Sequence, residues 1–91
     1  MALLDLLGRR WVLRIIWELR EESLTFRQLQ QSCGAMSASV LNDRLGDLRQ
    51  AEIIESGSAG YQLTDEGRRL VHAYQPINDW AQRWAARTAH G

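Results

Sequence analysis

A mainly α fold with one small β-hairpin is predicted by three features of the sequence. Apolar residues recur at helical spacing over most of the chain, two short β-prone runs flank a Gly/Ser turn, and capping residues mark the starts of successive helices. The first helical pattern spans about residues 3–20. Leu4, Leu7, Trp11, Ile15 and Leu19 recur at three and four, and Val12 and Ile16 widen the stripe. Gly8 and the Arg9-Arg10 pair divide it into a leading turn and a main helix, and Glu21-Glu22-Ser23 ends it. Leu24-Thr25-Phe26 reads as a brief extended segment. Thr25 and Gln28 have the spacing of a capping box, in which the hydroxyl takes the backbone N–H three residues on and the amide side chain reaches back. The second helix that they open carries Leu29 and ends near Cys33-Gly34, where Gly34 suits a left-handed cap.

Ser37 is the N-cap of a third helix through about Gln50. Leu41, Leu45 and Leu48 form its buried stripe, leaving Ser39, Asn42, Asp43, Gly46 and Gln50 on the opposite face. Residues 53–56 and 61–63 are β-prone and bracket Gly57-Ser58-Ala59-Gly60, a hairpin signature. Thr64 or Asp65 caps the last helical region, with Asp65 and Glu66 at its positive end. Leu70, Tyr74, Ile77, Ala81 and Trp84 continue the spacing, and Pro76 either kinks this helix or opens a new one. Helix, brief strand, two helices, hairpin and helix is the order of a winged helix-turn-helix. The first helix and the hairpin cover the back of the two-helix unit, and the third helix stands clear for a DNA groove.

Composition excludes the competing classes. Ninety-one residues are read as a single domain, 1–91. At 45% hydrophobic with one Pro, the chain is too apolar to be disordered, and one Cys rules out an internal disulfide framework. No apolar run reaches the length of a spanning helix. Asp5 interrupts the apolar start and Arg9-Arg10 follows it, the wrong order for a secretory signal, so the expected location is the cytoplasm, with no membrane partner. Cys33, His72 and His90 are the only soft ligands, without metal spacing or a Cys–His pairing, and no Gly-rich phosphate loop follows a strand. No cofactor, no metal and no enzymatic activity are expected. Cys33, beside the Gly34 cap, reads as a buried structural thiol.

Several short motifs, in order, resemble the HxlR-type winged-helix transcriptional regulators of the MarR-like superfamily. Leu7-Gly8-Arg9-Arg10-Trp11 lies against the family's G-G-K-W, with Ile15-Ile16-Trp17-Glu18-Leu19 after it. Thr25-Phe26-Arg27-Gln28-Leu29 lies against its R-F-x-E-L. Met36-Ser37, Leu41, Arg44-Leu45 and Leu48 follow its I-S…L-x-x-R-L-x-x-L helix. Tyr61-Gln62-Leu63-Thr64-Asp65-Glu66-Gly67 fits its Y-x-L-T-x-x-G, and Trp80 a tryptophan late in its final helix. The resemblance covers residues 3–84 and implies a homodimer joined by N- and C-terminal helices, each protomer reading half of a palindrome with its third helix and wing. The sequence also departs from the pattern. Glu52 stands where the family has Gly before the wing, Thr25 replaces an Arg, and the wing shrinks to Gly57-Ser58-Ala59-Gly60 with Glu55 beside it. The sensor cysteine that some members carry before the first helix is absent here.

All eleven basic residues are Arg, balanced by eleven acids to zero net charge. Residues 1–20 are net positive, residues 35–50 neutral and residues 51–60 acidic, a weak electrostatic footprint for DNA. The candidate DNA-contacting set is Arg27, Arg44 and Arg49 for phosphates, Ser37, Ser39, Asn42 and Asp43 for phosphate or base edges, and Ser58 on the wing. For the helix residues of this set the competing reading is a solvated helix face, and for Ser37 a helix cap. The candidate dimer interface joins the first helix (about 3–20) and the last (about 65–89) through Leu3, Leu6, Leu7, Trp17, Ile77, Trp80 and Trp84. Trp17 lies off the first helix's main stripe, giving more apolar surface than one small core requires. The expected function is a homodimeric repressor whose partners are double-stranded DNA and a second copy of itself. The alternative is a winged-helix interaction module that has weakened or lost DNA binding and pairs with another protein.

Overall fold

The computed structural model describes residues 2–88, with side chains from Leu4 onward. The elements are α1 (Ala2–Leu7), α2 (Val12–Glu18), α3 (Phe26–Ser32), α4 (Ala38–Gln50), β1 (Ile54–Gly57), β2 (Gly60–Leu63) and α5 (Asp65–Thr88). This is the mainly helical architecture with a small antiparallel hairpin that the sequence predicts.

The first helical pattern divides at Gly8 and the Arg9-Arg10 pair, as expected, but the left-handed residue there is not the glycine. Trp11 takes φ 78° and opens α2 without a side-chain cap. An aromatic residue in that region is under backbone strain. The turn is closed by Arg9 N–H donating to the Leu6 carbonyl and Val12 N–H donating to that of Arg9.

Thr25 and Gln28 form the predicted capping box at the start of α3. At its end, Gly34 (φ 76°) and Ala35 donate back to the carbonyls of Gln31 and Gln30, a Schellman closure. Helix α4 closes the same way: Glu52 N–H donates to Arg49 (3.0 Å) and Ile53 N–H to Leu48 (3.0 Å). Here the residue that must turn left-handed is Glu52, at φ 61°. That geometry explains why the family pattern has Gly at this place.

The hairpin pairs Ile54 with Leu63 and Gly57 with Gly60, so its loop is only Ser58-Ala59. The predicted extended segment before α3 contracts to Leu24, which exchanges two backbone hydrogen bonds with Tyr61 (3.0 and 2.7 Å). A Cβ on Gly60 would lie 2.4 Å from the Leu24 carbonyl oxygen, so only glycine lets the wing approach this closely. Gly67 is held as tightly. Its absent Cβ would fall 2.2 Å from the Ile53 carbonyl oxygen, where α5 crosses the entry to the wing. Thr64 fastens that crossing by donating its hydroxyl to the Glu52 carbonyl (2.6 Å) and accepting from Gly67 N–H (3.0 Å).

One core unites Val12, Ile15, Ile16 and Leu19 of the α2 region with Leu29, Leu41, Leu45, Leu48, Ile53, Ile54 and Leu63. Helix α5 gives it only Val71 and the backbone face of Gly67 as buried residues. Pro76 lies inside an unbroken helix of 24 residues, and beyond Asn78 every described α5 residue is exposed. The second half of α5 therefore stands off the protomer, consistent with extents of 45 × 27 × 25 Å. Among the described residues, no helix is long and apolar enough to cross a membrane.

Candidate nucleic-acid interface

Burial of Leu41, Leu45 and Leu48 fixes the azimuth of α4 and turns Ser39, Asn42, Asp43, Gly46, Arg49 and Gln50 to solvent. Ser37 is the N-cap, its hydroxyl accepting from Val40 N–H (3.2 Å), and its side chain is exposed at the same edge. Ser39, Asn42 and Asp43 thus share one polar face, and each has the hydrogen-bonding groups to meet a base edge or phosphate. Gly46 leaves the middle of that face open, with nothing within 4 Å of an added Cβ. Arg27 on α3 and Arg49 near the end of α4 are exposed, and neither forms an ion pair among the described residues.

Arg44 is placed differently. Its Nε donates to the Arg10 carbonyl (3.1 Å) and its Nη1 to Asp47 Oδ2 (3.3 Å). The same Asp47 oxygen accepts from Arg9 Nη1 at 2.8 Å. The arginine assigned to phosphates by its residue type is therefore turned toward the 8–11 turn. Half of this cluster had a signal in the sequence, the i,i+3 spacing of Arg44 and Asp47. The other half joins residues 38 apart and had none.

The wing adds little positive charge. Ser58 is exposed at its tip, Glu55 accepts from Gln62 Nε2 (2.7 Å), and Gln62 also accepts from the Ser23 hydroxyl (3.2 Å). Arg68 and Arg69 are paired with Asp65 and Glu66 on the first turns of α5. Cys33 is buried at the end of α3 and burial pushes its thiol pKa up, opposed by nearby Arg14 and reinforced by Glu18. Among the described residues no group of three His, Cys, Asp or Glu side chains gathers to hold a metal.

The residues assigned to a dimer interface divide into two sets. Leu6 is buried in the protomer's own core and Leu7 packs partly against it. Trp17 is half-buried, edge-on to Tyr74 at 6.3 Å and beneath the Arg20 guanidinium at 3.8 Å. Ile77, Trp80 and Trp84 remain 63%, 57% and 52% exposed, the two indoles stacked at 6.3 Å on the free half of α5. The Leu3 side chain lies outside the described residues.

The sequence profile of the HxlR-like helix-turn-helix family matches residues 6–89. The chain belongs to that family. An uncharacterized HTH-type transcriptional regulator of Bacillus subtilis, YvaP, is 29% identical over 87 residues, covering 88% of this chain and 81% of that protein. The HTH-type transcriptional regulator YodB of the same organism is 30% identical over 87 residues, covering 88% and 78%. The crystal structure of quinone-bound YodB superposes with a TM-score of 0.82 at 32% identity, over 90% of this chain and 93% of that one. A possible HxlR family transcriptional factor from Thermoplasma volcanium shares the fold, with a TM-score of 0.84 at 24% identity over 94% and 84% of the two chains. At family level, then, this is a DNA-binding helix-turn-helix regulator and not an enzyme.

Proposed function

We propose that the protein is a homodimeric transcriptional repressor that reads a palindromic operator, one half-site per protomer, and acts by occluding a promoter. The observation that carries this reading is the outward polar face of α4, held by the Ser37 cap and by three buried leucines of the same helix. In the major groove, Asn42 pairs best with adenine, Asp43 accepts from cytosine, and Ser37 and Ser39 reach phosphate or base edges. Arg27 and Arg49 hold phosphates on either side, and Ser58 gives the clipped wing one polar contact. Arg44 holds the 8–11 turn instead of a phosphate. The dimer is formed by α1 with the free half of α5, where Leu7 meets Ile77, Trp80 and Trp84. Exposed indoles of this kind suit interfaces, being large, rigid and costly to leave in water.

A second reading, a winged-helix module that binds another protein, is favoured by the neutral charge of α4 and by Glu52 and Glu55 on the wing side. Enrichment from a pool of random duplexes at two salt concentrations separates the two. The repressor reading predicts recovery of a palindrome and an affinity that falls steeply with salt, because each phosphate contact releases condensed counterions. Absence of enrichment at both salts overturns it in favour of the interaction module.

A further inference from the structure

We propose that Asp47 sets the specificity of DNA binding by holding two arginines off the nucleic acid, an inference that rests on the DNA-binding reading. Its Oδ2 accepts from Arg9 at 2.8 Å and from Arg44 at 3.3 Å, so one carboxylate occupies two guanidinium groups and offsets half of their charge. Asp47 lies one helical turn beyond the exposed Asp43, so the two guanidinium groups meet at the flank of the outward face of α4. Arg9 stands on the turn tied to the same helix, and its side chain is 51% exposed. Both therefore border the interface yet are withheld from it. Arginine forks serve carboxylates and phosphates alike, so Asp47 occupies them in place of a DNA phosphate.

The consequence is a division between tight and selective binding. Phosphate contacts supply sequence-independent affinity, whereas contacts to base edges supply discrimination. With Arg9 and Arg44 occupied, α4 meets DNA through a nearly neutral face, and binding depends on Asn42, Ser39 and Asp43 finding their bases. Freed, the two arginines add affinity for every duplex equally and dilute the preference for the operator.

The test is the salt dependence of binding to a random duplex, a readout that a purely structural role for Asp47 leaves unmoved. Asp47→Asn removes the charge at nearly constant shape. The slope of log affinity against log salt is expected to steepen by about one to two per protomer, at roughly 0.9 per phosphate contact. The ratio of operator to random-duplex affinity is expected to fall, and adding Arg9→Gln to the variant to return about one unit of slope. Arg9→Gln alone, which removes only an exposed side chain, keeps the wild-type slope, and it provides the test if Asp47→Asn unfolds. An unchanged slope in folded Asp47→Asn, with wild-type operator binding intact, overturns the proposal. So does a loss of about one unit in Arg9→Gln alone, since Arg9 would then already be on phosphate. Duplex binding by Asp47→Asn where the wild type has none supports it; binding by neither overturns it together with the reading on which it rests.

Discussion

Glu52 is the residue at which chemistry and backbone conflict most plainly. It occupies the left-handed position of a Schellman closure that links α4 to the wing, with φ 61° and an exposed side chain. An L-residue there costs roughly 1–2 kcal/mol relative to the right-handed region, and the side chain is not part of the core. Glu52→Gly is therefore expected to stabilise the fold by about 1 kcal/mol, raising Tm by about 4–8 °C at fixed protein concentration. Thermal melts followed by circular dichroism check this, and an unchanged or lower Tm contradicts it. Cys33 is governed instead by burial, which raises its thiol pKa despite Arg14 nearby. The native thiol is expected to alkylate far more slowly than that of the urea-unfolded chain at the same pH. Because the folded pKa lies above the unfolded one, the stabilisation from burying the neutral thiol is complete below the ordinary thiol range. It is lost as pH rises through that range to the raised folded value. Urea midpoints between about pH 7 and pH 10 should fall, and fall less in Cys33→Ala.

At the level of elements, α4 and α5 are held in opposite ways. Helix α4 has a capped start, a closed end and a buried leucine stripe, so its exposed face is presented rigidly. Ser37→Ala leaves Val40 N–H without its side-chain acceptor and is expected to cost about 1 kcal/mol, read from the urea midpoint. Helix α5 is anchored over its first turns by Thr64, Gly67 and Val71, then continues past the core with Ile77, Trp80 and Trp84 exposed. Those side chains contribute little to the protomer, so truncating them tests a contact between protomers. The double variant Trp80→Ala/Trp84→Ala is expected to keep the wild-type helical content but sediment as a monomer at concentrations where the wild type is a dimer. Equal sedimentation of the two proteins contradicts an interface on this face.

For the molecule as a whole, local signals carried the fold. Thr25 with Gln28, Gly34, Ser37 and the leucine spacing of α4 each act within a few residues, which is why their caps and buried stripe were legible in the sequence. The features that were not legible depend on distance along the chain. The Leu24–Tyr61 bridge, the Arg44–Arg10 contact and the Arg9–Asp47 pair exist only once remote segments have packed. The same limit applies to the candidate site. The polar face of α4 follows from periodicity, but whether an arginine faces outward or folds back onto a neighbouring turn does not. On the proposed function, two copies of this α4 face read DNA symmetrically. The most direct test of that symmetry is enrichment from a random duplex pool with wild type and Asn42→Ala side by side. Symmetric reading predicts a palindromic wild-type motif and, in the variant, lost discrimination of about 1–3 kcal/mol at one position in each half-site, symmetrically placed. Identical motifs from the two proteins, or no motif from either, would contradict it.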